Sequence, residues 1–133
     1  MKLLLPLLLL SCTMQTGGMK QSDLSNEAMR NYAFVQCMYE DEFFPPKLVD
    51  KCKDILVELC FRIEKEQPKS LDALYVLTHE ATNRLNGLQD EFFAQESEIE
   101  TAAAECLAMD FLAIATAYGF EADVEMLIAT REW

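Results

Sequence analysis

The most constraining feature of this chain is an alanine-rich apolar segment that runs from Ile99 to Tyr118. It reads IETAAAECLAMDFLAIATAY, and after Glu100 its only charged residues are Glu105 and Asp110. At about 100° of rotation per residue, its apolar side chains occupy nearly the whole circumference of a helix. Such a helix is one that other helices surround, and alanine favours both helix formation and close approach of neighbours. The segment therefore predicts an all-α bundle built around a central buried helix.

The ends of this central helix also carry recognisable signals. Ser97 is followed three residues later by Glu100, which is the spacing of a capping box at a helix N-terminus. Gly119 can adopt the left-handed conformation that closes a helix C-terminus. The sequence therefore predicts that Ser97 caps the helix and that Gly119 ends it.

Apolar residues at helical spacing predict about five helices in a single domain that covers residues 27–133. A chain of 133 residues is long enough for one such core and too short for two. A first stretch begins at Ser25 and turns Met29, Tyr32, Ala33 and Cys37 inward. The other predicted helices cover residues 46–66, 70–93 and 122–130, and the last of these brings Trp133 back onto the bundle.

The predicted helix over residues 70–93 contains the dipeptide Asn86-Gly87, which commonly forms a turn. A turn would shift the helical phase of the residues that follow it. Leu85, Leu88 and Phe92 nevertheless stay on one face across the dipeptide. We therefore expect one continuous helix, weakened at the glycine by about 1 kcal/mol.

The first 12 residues resemble a bacterial lipoprotein signal. An apolar run of eight residues ends directly at Ser11-Cys12, as in a lipobox whose cysteine is acylated. Eight apolar residues are too few to span a bilayer, so membrane contact depends on the lipid on Cys12. Residues 13–26 would then be a polar tether of a cell-envelope lipoprotein. The alternative is that translation begins near Met29 and the protein is cytoplasmic.

Four cysteines remain in the predicted domain: Cys37, Cys52, Cys60 and Cys106. All four lie in apolar patterns, so buried free thiols are the simplest interpretation. Cys52 and Cys60 are separated along one helix by a rise of about 12 Å, which is too far for a disulfide between them. A disulfide that includes Cys37 stays open in an oxidising compartment.

The chain is strongly acidic, with a formal net charge of -12 and a sequence pI of about 4.4. Electrostatic repulsion therefore opposes binding to nucleic acid and to anionic membrane surfaces. The acids are concentrated between Leu85 and Thr130, where ten Asp and Glu residues occur without a single Lys or Arg. This imbalance favours a basic protein partner, and high solubility is the other interpretation.

Residues 90–100 are the candidate docking surface for such a partner. The residues expected to contact it are Asp90, Glu91, Phe93, Glu96 and Glu98. Phe92 and Phe93 cannot both face the core from one helix, so one of them is expected to be an exposed apolar anchor beside the carboxylates. The same carboxylates also suit a solvated helix end, because negative charge is favourable at a helix N-terminus.

His79 and Asp110 are the candidate buried polar residues. His79-Glu80 resembles the start of a zinc-protease helix, but the expected second histidine is Asn83. Asp110 falls on the face of the central helix that is predicted to be buried, so its carboxylate needs hydrogen-bond donors or a proton. Both residues suit structural roles, and the alternative is an enzyme with one of them in a pocket. No metal site, cofactor motif or nucleophile with its base is recognisable, so we expect no enzymatic activity and no cofactor.

Five segments of the chain resemble a bacterial family of small acidic proteins that is known only as a domain of unknown function. These segments are MRNYAF from Met29, LVDKCKDIL from Leu48, LQDEFF from Leu88, SEIET from Ser97 and ATREW from Ala129. The resemblance covers Met29 to Trp133 and implies no catalytic residue, cofactor or substrate. It also places the usual start of the family near Met29, so the leader departs from the family pattern.

These features lead to three functional hypotheses. The leading one is a non-enzymatic binding module, such as an immunity-type inhibitor that covers a basic toxin or nuclease surface. The second is an enzyme that uses Asp110 or His79 in a pocket between helices. The third is a lipid-tethered structural protein of the cell envelope.

Overall fold

The computed structural model describes residues 19–133, which fold into α-helices joined by short loops. The helices are α1 (Glu27–Arg30), α2 (Gln36–Tyr39), α3 (Pro46–Glu66), α4 (Leu71–Asn86), α5 (Gln89–Ala94), α6 (Thr101–Ala117) and α7 (Val124–Leu127), preceded by a 3-10 turn over Gln21–Asp23. No residue of this range belongs to a β-strand, and none of its helices is both long and apolar enough to cross a membrane. The predicted leader, Cys12 included, lies outside the described residues. The predicted all-α fold is confirmed.

Helices α3 and α4 form the largest helix pair, and both begin where the sequence predicts. Pro46 occupies the first turn of α3, where a missing N–H is tolerated, and Gln67 ends that helix in a left-handed conformation. Ser70 caps α4 by accepting a hydrogen bond from the Ala73 N–H at 3.1 Å. The apolar face of α3 is buried, and it comprises Leu48, Cys52, Ile55, Leu56, Leu59 and Ile63.

The helix predicted to continue across Asn86-Gly87 is divided there into α4 and α5. Gly87 and Leu88 keep right-handed backbone angles, but the Leu88 N–H bonds to the carbonyl of Leu85, which is three residues back rather than four. This tighter turn interrupts the α-helical hydrogen bonds without losing the phase, since Leu85, Leu88 and Phe92 are all buried. The prediction of one continuous helix is therefore wrong, although its buried face is correct.

Gly87 is a position where alanine should stabilise the protein. Its φ of -68° suits any residue, and an added Cβ would approach the carbonyl oxygen of Arg84 no closer than 3.4 Å. We expect Gly87→Ala to raise the free energy of unfolding by about 0.4–1 kcal/mol, because alanine restricts the unfolded chain. Gly119, which ends α6 as predicted, supplies the control: its φ is +89°, so alanine there should cost about 1–2 kcal/mol. Urea denaturation of both variants tests whether the free energy of unfolding rises in one and falls in the other. A destabilised Gly87→Ala variant contradicts the prediction.

Helix α6 is the central helix of the bundle, but the other helices cover only one side of it. Its inner face packs against α1, α2, α3 and α7. The opposite face is exposed, with Met109 69% and Leu112 39% accessible. The prediction of a helix surrounded on all sides is therefore wrong. Exposure is inexpensive here because most of the outer residues are alanine and threonine, whose apolar area is small.

The N-terminus of α6 also differs from the prediction, because Glu100 is the capping residue. The Glu100 side chain accepts a hydrogen bond from the Ala103 N–H at 3.2 Å. Ser97 instead belongs to the turn that ends α5, where its N–H bonds to the Phe92 carbonyl at 2.8 Å and Glu96 has a φ of 60°. The predicted cap at Ser97 is wrong because the preceding helix end already uses that residue.

The described part of the predicted tether, residues 19–26, packs onto the domain. Leu24 is buried, and the side chain of Gln21 donates to the carbonyl oxygens of Met29 and Tyr32 at 2.8 and 2.7 Å. The hydrogen bonds fix this segment against the start of the first helical stretch. The folded part of the chain therefore begins before Glu27.

The first predicted helical stretch is interrupted between α1 and α2. Val35 adopts a left-handed conformation, with a φ of 47° and a ψ of 34°, which is uncommon for a β-branched residue. Met29 is buried as predicted, but Ala33 and Cys37 are exposed, so their predicted inward positions are wrong. Because the helix is interrupted at Val35, the residues after it do not face the directions that one continuous helix would give them.

Candidate functional site

Two amide side chains at the junction of α4 and α5 fix the loop before α6 and the C-terminal segment after α7. Gln89 pairs with the backbone of Ile99: the Ile99 N–H donates to Oε1 at 2.8 Å, and Nε2 donates to the Ile99 carbonyl at 3.2 Å. Asn86 similarly donates to the Thr130 carbonyl at 3.0 Å and accepts from the Glu132 N–H at 2.9 Å. Because residues three positions apart share a helix face, the two amides hold both loops side by side.

A concave surface of about 550 Å³ lies between these loops and the first half of α6. We call it the acidic depression. Its carboxylates are those of Glu98, Glu100, Glu105, Glu125 and Glu132, and its one guanidinium is that of Arg131. Its apolar lining comes from Ile99, Ala104, Ala108, Ile128 and Trp133. The surface thus combines an apolar floor with a rim of carboxylates.

Most of the negative charge in the acidic depression is uncompensated. Arg131 pairs with Glu125 at 3.2 Å and lies 5.9 Å from the ring centre of Trp133. Within residues 19–133, the other four carboxylates of the depression form no ion pair. Charges of one sign that line a concave surface raise the local concentration of opposite charges. The depression is therefore suited to bind a cationic group.

A larger groove of about 880 Å³ lies between α3, α4 and the N-terminal segment, but three basic residues of its lining partly balance its five acidic residues. Arg62 bridges Glu66 and Glu80 at 2.6 Å each, and Arg84 pairs with Glu58. Two of these pairs join α3 to α4 along the groove. The groove therefore attracts a charged partner less strongly than the acidic depression does.

Of the residues predicted to dock a partner, Glu98 alone lines the acidic depression. Glu91 forms an ion pair with Lys51 of α3 at 2.6 Å, and the exposed Asp90 and Glu96 do not belong to the lining. Phe93 is 53% exposed while its neighbour Phe92 is buried, as the helix geometry predicts. Phe93 also lies outside the lining, so the structure does not bring the predicted residues together at one site.

Sequence reasoning missed Glu105 of α6 and the charged residues of the C-terminal segment. Glu125, Arg131 and Glu132 reach the depression because Asn86, 46 residues before Glu132, holds their segment beside α6. The expected packing of Trp133 against the bundle was the one available signal, and the half-buried Trp133 does line the depression. Local patterns could not reveal which part of the surface this segment would complete.

Asp110 lies on the buried side of α6 and joins that helix to the N-terminal segment. The residue is 4% exposed, and its carboxylate accepts hydrogen bonds from the Tyr32 hydroxyl at 2.8 Å and the Val35 N–H at 2.6 Å. Burial raises the pKa of Asp110, and the bonds from Val35 and Tyr32 partly offset that rise. The bond to Val35 stabilises the left-handed conformation between α1 and α2.

His79 makes structural contacts away from Asp110. Its Nε2 lies 2.7 Å from the Met126 carbonyl oxygen of α7, and its ring stacks on Tyr75. Neither the acidic depression nor the larger groove is lined by His79 or Asp110. Among residues 19–133, no group of three or more His, Cys, Asp or Glu side chains is placed to hold a metal ion.

Two of the four domain cysteines form a disulfide. Cys37 of α2 is bonded to Cys106 of α6, with their Cα atoms 6.1 Å apart. The expectation of free thiols is therefore wrong for this pair, because α2 packs directly on α6. Cys52 and Cys60 are buried and free, and burial raises the pKa of each thiol to about 12.

Glu64 of α3 ties the N-terminal segment to the end of α6. Its carboxylate accepts hydrogen bonds from the N–H groups of Ser25 and Asn26 at 2.9 and 3.0 Å, and from the Tyr118 hydroxyl at 2.5 Å. Burial alone would raise the pKa of Glu64, but the bonds from Tyr118, Ser25 and Asn26 outweigh it and lower the pKa. The carboxylate form is therefore the form that the fold stabilises.

We expect Glu64→Gln to lower the free energy of unfolding by about 1–2 kcal/mol at neutral pH, because the amide replaces an acceptor oxygen with a donor. A carboxyl whose pKa is lowered by folding stabilises the protein above its unfolded pKa, and that stability is lost as the pH falls through the folded pKa. The difference between wild type and variant should therefore shrink below about pH 4. Thermal unfolding at both pH values tests this, with Glu42→Gln, at an exposed position, as control. A difference that is equal at both pH values contradicts the prediction.

The fold and the depression together define a small, acidic, all-helical domain with a concave, negatively charged surface. The chain belongs to DUF5713, a family of unknown function, whose model matches residues 28–133. The resemblance to a family of unknown function is thereby confirmed, and the match includes every residue of the acidic depression. Neither the curated proteins nor the solved structures contain a match to the chain.

Proposed function

We propose that this protein is a binding module whose acidic depression docks a positively charged surface of a partner protein, in the manner of an immunity-type inhibitor that covers a basic toxin or nuclease. The observation that carries the proposal is a rim of five carboxylates with one guanidinium around an apolar floor. Complementary charge accelerates association and selects the partner. The net charge of -12 adds a long-range attraction for basic proteins.

The apolar floor supplies binding affinity that the charges alone do not supply. Exposed ion pairs are each worth only about 0.2–1 kcal/mol, so a rim of carboxylates gives selectivity with little affinity. Trp133 and Ile128 lie in the same depression, and buried aromatic contacts are the commonest source of binding energy in protein interfaces. The combination of carboxylates and apolar residues therefore favours stable binding of a protein over a loose accumulation of counterions.

The test uses three forms of the full chain as immobilised baits for proteins from the cells that produce it. The first is wild type, and the second neutralises the depression with Glu98→Gln, Glu105→Gln and Glu132→Gln. The third is a matched control that removes three exposed charges elsewhere, with the substitutions Glu27→Gln, Glu42→Gln and Asp72→Asn. All six positions are exposed, so the two variants should fold equally well.

We expect wild type and control to retain a basic protein that elutes as the salt concentration rises. The depression variant should bind that protein about 3- to 150-fold more weakly, since three exposed ion pairs are lost. Quantitative mass spectrometry of the eluates measures this difference. The proposal is overturned if no retained protein distinguishes the depression variant from the control.

A further inference from the structure

The exposed face of α6 continues directly from the acidic depression. Glu105 and Ala108 line the depression. Met109 follows Glu105 by four residues, Leu112 follows Ala108 by four residues, and both lie on the outer side of the helix. Residues at this spacing lie above one another on a helix surface. Apolar side chains therefore continue from the lining of the depression along the outer face of α6, with the exposed Glu105 at the start of that face.

This outer face has the shape that accepts another helix. Alanines at positions 102, 108 and 113 leave the backbone of α6 accessible, so a second helix can approach to about 8–10 Å between axes. Met109 and Leu112 project from it as two apolar contacts. Methionine adapts its flexible side chain to different apolar surfaces, which suits a residue that is exposed until a partner binds.

Charge decides which kind of helix can occupy the face. The carboxylates of the acidic depression border it on one side, with Glu105 at the boundary. A second copy of this chain also carries a formal net charge of -12, so the two copies would repel each other. A helix with lysine or arginine along one flank would instead place those cations over the depression.

We infer that the partner of this protein presents an amphipathic, cationic helix to it. The apolar stripe of that helix lies on Met109 and Leu112, and its basic flank lies against the carboxylates of the depression. Helices recognised in this way use apolar anchors at spacings of three and four residues. The inference rests on the proposed function and adds the chemistry of the partner element to it.

Trp133 provides the signal for a direct test, because it is the only tryptophan of the chain and lines the acidic depression. The probe is a short synthetic peptide of leucine and lysine that forms an amphipathic helix. Its control is an isomer of the same composition whose order removes the amphipathic face. Both are titrated into the full chain while Trp133 fluorescence is followed. The variant Met109→Ser with Leu112→Ser removes the apolar contacts, and its control is Val76→Ser on α4, where Val76 is 61% exposed.

We expect the amphipathic peptide to bind wild type and Val76→Ser at least about tenfold more tightly than its isomer. The Met109→Ser and Leu112→Ser variant should lose that preference and still bind both peptides weakly through charge. Equal binding of the two peptides to wild type overturns the inference and leaves the proposed function standing. A wild-type chain that sediments as a dimer, with a monomeric variant, also overturns it, because a second copy then occupies the face.

Discussion

Replacement of Asp110 by alanine should lower the free energy of unfolding by about 2–4 kcal/mol. The change leaves the buried Val35 N–H and the half-buried Tyr32 hydroxyl without their acceptor, and an unsatisfied buried donor costs about 1–3 kcal/mol. It also removes the hydrogen bond that holds Val35 in its left-handed conformation. Urea denaturation at neutral pH measures the loss.

Asp110→Asn is the matched control, because it keeps the shape of the side chain. Its amide oxygen can accept from Val35, and its NH₂ group can donate to the Tyr32 hydroxyl, so the loss should stay below about 1 kcal/mol. Burial raises the pKa of Asp110, so wild type loses stability as the pH rises from the unfolded to the folded pKa. The asparagine variant should lack this loss. An alanine variant as stable as wild type, or an asparagine variant as unstable as alanine, contradicts the account.

Reduction of the disulfide between Cys37 and Cys106 should lower the free energy of unfolding by about 4 kcal/mol. The bond joins residues 69 positions apart, and the loop-closure entropy of a cross-link over that length has this magnitude. The expected result is a lower urea midpoint in the presence of a reductant. Cys37 is exposed, so a reductant can reach the bond without prior unfolding.

The double variant Cys37→Ser with Cys106→Ser is the control for this measurement. Its midpoint should equal that of the reduced wild type and should not respond to reductant. Cys52 and Cys60 stay out of the comparison because both are buried and their thiols have a raised pKa. A midpoint that is unchanged after mass spectrometry shows the Cys37 and Cys106 thiols to be reduced contradicts the prediction.

Helix α3 is predictable from the sequence because local signals agree at both of its ends. In α3, Pro46 marks the start, an apolar stripe marks the buried face and Pro68 follows the end. Predictions of the shorter features fail where two elements use the same residue, or where a contact with a residue distant in sequence sets the backbone conformation. Ser97 serves the end of α5 rather than the start of α6, and Val35 is held by Asp110 across 75 residues.

The candidate site is less predictable than the fold, for the same physical reason. Sequence alone places many carboxylates between residues 85 and 130, but it does not say which of them share a surface. Asn86 and Gln89 decide this by binding the backbone of two distant loops. The sequence also does not indicate which side of α6 is exposed, because an apolar pattern around a whole helix does not reveal which side the neighbouring helices leave uncovered.

The central claim is that the acidic depression and the adjoining outer face of α6 form one docking surface. Hydrogen exchange of the full chain, with and without a saturating concentration of the amphipathic leucine and lysine peptide, tests it most directly. The account predicts slower amide exchange across residues 98–112 and 125–133 when the peptide is bound, with α3 and the first half of α4 unchanged. Protection confined to the groove between α3 and α4, or no protection at all, would contradict it.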